Sequence, residues 1–267
     1  MNPGGKGGNQ SVAAARSGGN VTLIGRIAAD EYAHQLIHSF QRDHIDTSQL
    51  KIDKDAKTGV AFVWVDTEGH NKCVCSLGVN ARVTPQDVQS YAHLFTGSSI
   101  VMTTLEHSSQ LLEEISLMAR QNNCILIVDP SSKDYSKLSP EIAGRIDILK
   151  PNEVETEMLT GVRVETEKDA VQAIHILKEK GIRMPVISLG SRGVVYEYKG
   201  RVTSVEGLRV NAVDTTAAGD TFIGSMAAKL SQGYSFRESI DYANRAAAYC
   251  VQHRGAQISI PFEENVL

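Results

Sequence analysis

No run of apolar residues in this 267-residue sequence approaches the ~18 needed for a helix to cross a bilayer. The first residues are polar and glycine-rich where the apolar core of a secretory leader would sit, so a cytoplasmic protein is the expectation. No block of like charge exceeds a few residues, and 27 basic against 31 acidic side chains leave a net charge of -4. Nothing there favours nucleic acid or another polyanion as partner. Cysteine is scarce. Of the four, Cys73 and Cys75 alternate within a strand-like stretch while Cys124 and Cys250 stand alone, which excludes a metal-ligand spacing or a disulfide framework and suits a reducing compartment. Internal repeats, low-complexity segments and interdomain linkers are absent as well. What the chain does have is 42% hydrophobic residues, enough for a substantial core.

Short β-branched runs at 21–24, 100–103, 125–129, 146–149 and 186–189 read as strands, with helical periodicity over 111–121 and 168–180 between them. This alternation predicts βαβ units around a mostly parallel central sheet flanked by helices, in one domain spanning 1–267. Ligands then belong beyond the carboxyl ends of the strands. Residues 58–66 and 72–77 break the rhythm as a hairpin joined by Thr67, Glu68, Gly69, His70 and Asn71. Such a hairpin either extends an edge of the main sheet or forms a flap over the site.

Two segments carry chemistry. In Val213-Asp214-Thr215-Thr216-Ala217-Ala218-Gly219-Asp220-Thr221-Phe222 the small residues allow close backbone approach, and a helical pattern over 223–230 follows. A helix N-terminus at that point would direct free amides at an anion. Asp220 either caps this helix or stands inside the anion site as a proton acceptor for a hydroxyl. Gly4-Gly5-Lys6-Gly7-Gly8-Asn9-Gln10, running into a helical 11–16, is either a flexible terminus or a polyol site in which Lys6 and Asn9 supply directional polar groups.

The first segment resembles the C-terminal motif of the ribokinase family, the PfkB carbohydrate kinases, whose usual form has Gly in place of Ala217. The second resembles the N-terminal motif of the same family, in which the residues matching Gly5, Lys6, Gly7 and Asn9 bind sugar hydroxyls. The resemblance runs from Gly4 to about Pro261 and implies a ribokinase-like α/β fold with a small β lid over 51–79. It also implies transfer of the γ-phosphoryl of ATP to a sugar, D-ribose first, with Asp220 as base and the amides of Ala218, Gly219 and Asp220 as anion hole. By the same resemblance Glu106 contacts the sugar, Asn152 faces the nucleotide phosphates, and Glu155 orders Mg²⁺ and its waters. Ser188, Gly190, Ser191, Gly193 and Asn244 fall beside ATP. Asp214, Thr216, Cys250, His253, Gly255 and Ser259 match a monovalent-cation (K⁺) site. A homodimer through the lids is implied by the apolar Val60, Phe62 and Trp64 of the hairpin.

The sequence departs from the family at its start. Members carry a further strand and part of the lid before the glycine motif, with an Asp that holds sugar hydroxyls, whereas Met1-Asn2-Pro3 opens this chain. The expectation is a chain that is poorly stable alone, binds ATP better than sugar and turns over little. A non-catalytic sugar or nucleotide binder, and a kinase for fructose, a nucleoside or a sugar phosphate, remain the alternatives.

Overall fold

A computed structural model describes residues 2–65, 71–96, 99–131 and 134–266. Along the chain come α1 (Lys6–Arg16), β1 (Gly25–Ala28), α2 (Glu31–Arg42), β2 (Leu50–Asp53), β3 (Val60–Val65), β4 (Asn71–Ser76), α3 (Pro85–Gln89), β5 (Ile100–Thr104), α4 (Ser109–Gln121) and β6 (Ile125–Asp129). The second half adds α5 (Pro140–Ala143), β7 (Ile148–Leu149), α6 (Glu153–Thr160), α7 (Glu167–Glu179), β8 (Met184–Ser188), β9 (Val194–Tyr198), β10 (Arg201–Val205), α8 (Ala218–Ser231) and α9 (Phe236–Cys250). Among the described residues no helix is long and apolar enough to cross a membrane.

Side-chain parity makes the main sheet a two-sided partition. On β6, Leu126 and Val128 join one core with Leu111, Leu112 and Ile115 of α4 and Ile174 and Leu177 of α7. Ile127 between them joins the opposite core, with Phe222, Ile223 and Met226 of α8 and Ile240 of α9. The strand order is β10-β9-β8-β7-β6-β5, parallel from β5 to β8, with β9 and β10 antiparallel. Helical crossovers between the parallel strands gather the βα loops at their carboxyl ends.

Helix starts divide into two kinds. Seven helices begin at Asp30, Thr84, Ser108, Ser139, Asn152, Thr166 and Ser235, each accepting the N–H three residues on. That bond satisfies one of the amides a helix leaves open. By contrast, α1 and α8 begin at Gly5 (φ 91°) and Ala217 (φ 62°), with no side-chain cap. These two helices cross closely: a Cβ on Gly224 would stand 2.3 Å from the carbonyl oxygen of Gln10 and 2.6 Å from the Cβ of Ala13. Only glycine permits that approach, and it brings the first turn of α1 beside the first turn of α8.

Several expectations change in detail. The strand expected at 21–24 appears as a single parallel bridge, Thr22 to Asp46, and pairing resumes as β1 with β2. Thr22 pairs 24 residues ahead and Gly25 pairs 25 ahead, with Leu50, so the ladder slips by one residue between them. The hairpin β3–β4 is its own antiparallel pair and does not extend the main sheet. Its base is pinched, since a Cβ on Gly78 (φ 52°) would lie 2.3 Å from the Lys57 carbonyl oxygen. Of the joining residues expected at 67–71, residues 67–70 lie outside the described residues and Asn71 begins β4, while residues 51–53 of the expected lid belong to β2. Among the described residues β5 is paired on its β6 side alone.

Candidate active site

At the carboxyl ends of β6 and β7 lies a cavity of about 190 Å³. Lys6 enters it from α1, Asp129 and Ser131 from the end of β6, Lys150, Asn152 and Glu155 from the β7–α6 junction, and Thr215, Ala217, Gly219 and Asp220 from the start of α8. The glycine-rich and Asp220 segments, at opposite ends of the sequence, therefore share one site.

Asp220 is 7% exposed and clamped by amides. Asn9 Nδ2 donates to its Oδ2 (2.8 Å) and Gln10 Nε2 to its Oδ1 (3.1 Å). Burial pushes its pKa up, and Asp129 adds to the rise, while Lys6, Asn9 and Gln10 oppose it. Burial alone would lower the pKa of Lys6, but the charges of Asp129, Asp220, Glu106 and Glu155 outweigh that and raise it. Asn9 Oδ1 is buried and has no hydrogen-bond partner. A buried acceptor left open beside a cavity is a natural receiver for a ligand hydroxyl.

At the start of α8, Ala217 takes the left-handed conformation that costs an L-residue about 1–2 kcal/mol and glycine nothing. This explains why glycine suits the position. The amide of Ala218, expected in the anion hole, instead donates to Thr215 O (3.2 Å) and closes the turn. Thr221 N–H begins the ladder by reaching Ala217 O (2.7 Å), so the amides of Gly219 and Asp220 precede it and are available to an anion.

Asn152 and Glu155 form a capping box, with Glu155 N–H on Asn152 Oδ1 and Asn152 N–H on Glu155 Oε2, both 2.9 Å. Ser131 Oγ lies 2.5 Å from Asp129 Oδ1 and 3.1 Å from Glu155 Oε1, so its one hydroxyl proton is shared between the two carboxylates. Lys150 is 4% exposed, and a Cβ on Gly219 would meet its Nζ at 3.1 Å. A cation thus stands against the uncapped amides.

The remaining sequence candidates sit around this centre. Glu106 is exposed, outside the cavity lining. Although much of its surface is open to solvent, neighbouring protein partly desolvates its carboxyl, and this, with the charges of Asp129 and Asp220, raises its pKa against the opposing charge of Lys6. Ser188 Oγ donates to Pro151 O (3.4 Å), and Gly190 (φ 54°) and Ser191 occupy the exposed turn that follows. Gly193 has a packing reason of its own: a Cβ there would be 2.0 Å from Val205 O. Asn244 is buried, not solvated, and its Nδ2 donates to Glu206 O (2.8 Å).

The six positions matched to a cation site converge in part. Asp214 accepts from Thr216 N–H and Gly255 N–H (both 2.9 Å), Cys250 Sγ donates to Thr216 O (3.6 Å), and Ser259 Oγ donates to Gly255 O (2.7 Å). Burial raises the Asp214 pKa, but the two N–H donors prevail and hold it below the usual carboxylate value. The His253 ring faces away, exposed and stacked on Tyr249 at 4.5 Å.

Gln10, Asp129, Ser131 and Lys150 went unassigned from sequence. Gln10 lies within the glycine-rich string and Lys150 opens the Pro151-Asn152 segment, so position relative to a motif was their one available signal.

Known proteins are similar to this chain in sequence and fold. The model of the pfkB family carbohydrate kinases matches residues 1–263. A ribokinase from Haemophilus influenzae is 36% identical over 99% of this chain and 86% of its own. A deoxyribokinase from Salmonella typhi is 28% identical over 97% of this chain and 84% of its own. The structure of an Arabidopsis thaliana ribokinase complexed with ribose and ATP superposes with a TM-score of 0.87 at 27% identity, covering 98% of this chain and 86% of that one. With its two motifs joined in one cavity and a family match over almost its whole length, this chain belongs to the pfkB family of carbohydrate kinases.

Proposed function

We propose that the chain transfers the γ-phosphoryl group of ATP to the primary hydroxyl of a free pentose, ribose foremost. One observation carries this reading: the Asp220 carboxylate stands in the first turn of α8, beside the uncapped amides of Gly219 and Asp220, and is aimed by Asn9 of α1. Asp220 accepts the hydroxyl proton as the sugar oxygen bonds to the γ-phosphorus and the bond to the β-phosphate oxygen breaks. The Gly219 and Asp220 amides and the Lys150 ammonium stabilise charge on the transferring group. Mg²⁺, when bound, neutralises the phosphate oxygens, and Glu155 is the side chain suited to order it with water, since this ion takes few protein carboxylates.

Around the sugar, a Cβ on Gly5 or Gly7 would meet nothing within 4 Å, which leaves room for a polyol against α1. Lys6 and the open Asn9 Oδ1 supply donor and acceptor. Glu106 reaches the same region from the end of β5. Asn152 and the 188–193 turn, with Asn244 behind it, form the nucleotide side. Asp214 and the carbonyl oxygens of Thr216 and Gly255 are hard ligands that fit a monovalent cation such as K⁺.

The chain acts in this reading as one cytoplasmic catalytic domain, with the part of the expected lid that follows β2 as its cover. The hairpin register sets Phe62 opposite Val74, 54% and 59% exposed, an apolar pair suited to a second lid in a homodimer. Ribose is preferred to 2-deoxyribose because the ribokinase relative is 36% identical and the deoxyribokinase 28%. ATP turnover over a panel of pentoses and hexoses, 2-deoxyribose and fructose included, tests the assignment. Highest kcat/KM with any sugar other than ribose overturns the substrate, and no sugar-dependent turnover overturns the kinase reading.

A further inference from the structure

We propose that Gln10 is a positioning residue for the transfer step: its carboxamide bridges the carboxylates of Asp129 and Asp220 and fixes the second in line with the acceptor hydroxyl. The proposal rests on Asp220 acting as the base.

Gln10 is 2% exposed and lies in the second turn of α1. Its Nε2 is 2.9 Å from Asp129 Oδ2 and 3.1 Å from Asp220 Oδ1. A primary amide has two N–H bonds, and here each meets a different buried carboxylate. Asn9 holds the other oxygen of Asp220, so both oxygens are fixed while each keeps a second lone pair for a proton.

The charged surroundings make the bridge matter. Asp220 faces Lys6 from α1, Asp129 from the end of β6, Lys150 and Glu155 from the β7–α6 side, Glu106 beyond β5, and the buried Cys250 thiol of α9. Asp129 is the acid that shares a donor with it. Two buried carboxylates without that donor favour protonation of one, because like charges at short range destabilise the ionised form. No other side chain substitutes well. Glutamate at position 10 adds a third acid, leucine fills the space without donors, and lysine neutralises the base it should serve.

The test uses the full chain labelled with ¹³C in its aspartate carboxyls, the Asp220 signal being assigned by its absence in Asp220→Asn. Without ATP or sugar, Gln10→Leu is expected to raise the Asp220 titration midpoint, increasing its proton affinity about tenfold or more. The acid limb of the kcat/KM–pH profile for ribose at saturating ATP should move in the same direction, and the KM for ATP should hold. Adding Asp129→Asn to Gln10→Leu should bring the midpoint back down. Should Gln10→Leu fail to fold, Asp129→Asn alone must lower the midpoint. An unmoved Asp220 midpoint in the folded variants, even with reduced kcat, leaves Gln10 a packing role only and overturns the proposal. Because the titration needs no turnover, a wild-type chain inactive on every sugar would sink the kinase reading without deciding the bridge.

Discussion

A Cβ on Gly224 would fall 2.3 Å from the carbonyl oxygen of Gln10, so the contact between α8 and α1 has no room for any side chain. The obstruction is backbone, which cannot rotate away. Gly224→Ala should therefore cost about 1–3 kcal/mol through overpacking, and Gly224→Val more. Thermal unfolding of the two variants checks this. A Gly224→Val protein that melts with the wild type would contradict the close crossing.

Replacing Asp220 separates activity from stability. Asp220→Asn should lower turnover by about 10²- to 10⁴-fold while ATP affinity stays near normal. Because burial raises the pKa of Asp220 above 3.8, the folded state binds the proton more tightly than the unfolded state. Stability then falls as pH rises from below 3.8 through the raised folded value, and the penalty is complete above it. At neutral pH Asp220→Asn should melt above the wild type, with Asn9 able to flip and present its open Oδ1 to the new amide. The gain should vanish as pH drops below 3.8. A variant that melts lower at neutral pH contradicts the sign.

Ala217 offers a smaller test. Its φ of 62° costs about 1–2 kcal/mol, and glycine recovers this less roughly 0.5–1 kcal/mol of chain entropy. Ala217→Gly should be neutral to slightly stabilising in denaturant unfolding, with activity kept, whereas Ala217→Val should destabilise clearly. The reverse order would mean that the turn before α8 is not left-handed.

The cation proposal predicts faster turnover in KCl than in NaCl at equal ionic strength. Asp214→Asn should remove that difference, because it takes the one carboxylate from the cluster that Thr216 and Gly255 complete. Equal rates in both salts with the wild type would end this proposal.

Local patterning made β5 and β6 legible: β6 matches residues 125–129 without change and β5 extends the expected run by one residue, whereas β7 keeps only 148–149 of the expected 146–149 and β8 covers 184–188 in place of 186–189. Less visible was the slip between Thr22 and Gly25, because a one-residue shift in pairing leaves the apolar composition of a strand untouched. Motif strings placed Lys6, Asn9 and Asp220 in one site. They did not show that Gln10 and Asp129 join them, since an amide between two distant carboxylates has no periodicity or spacing to betray it. Asn152 and Glu155 illustrate a further limit of pattern: their capping box satisfies helix-start chemistry whether or not they also serve a nucleotide.

The hydrogen bond between Asn9 and Asp220 spans 211 positions of sequence. At about 5–20 residues per second on the ribosome, α1 emerges roughly 10–40 s before the helix that supplies its carboxylate partner. Throughout that interval Ala13 and Ala14 lack the α8 surface that later packs against them, so the nascent chain presents the small apolar face of α1 to any chaperone nearby. The carboxylate of the proposed base arrives late, with the final fifth of the polypeptide. A product of premature termination before α8 would carry Lys6 and Asn9 without the proposed base Asp220.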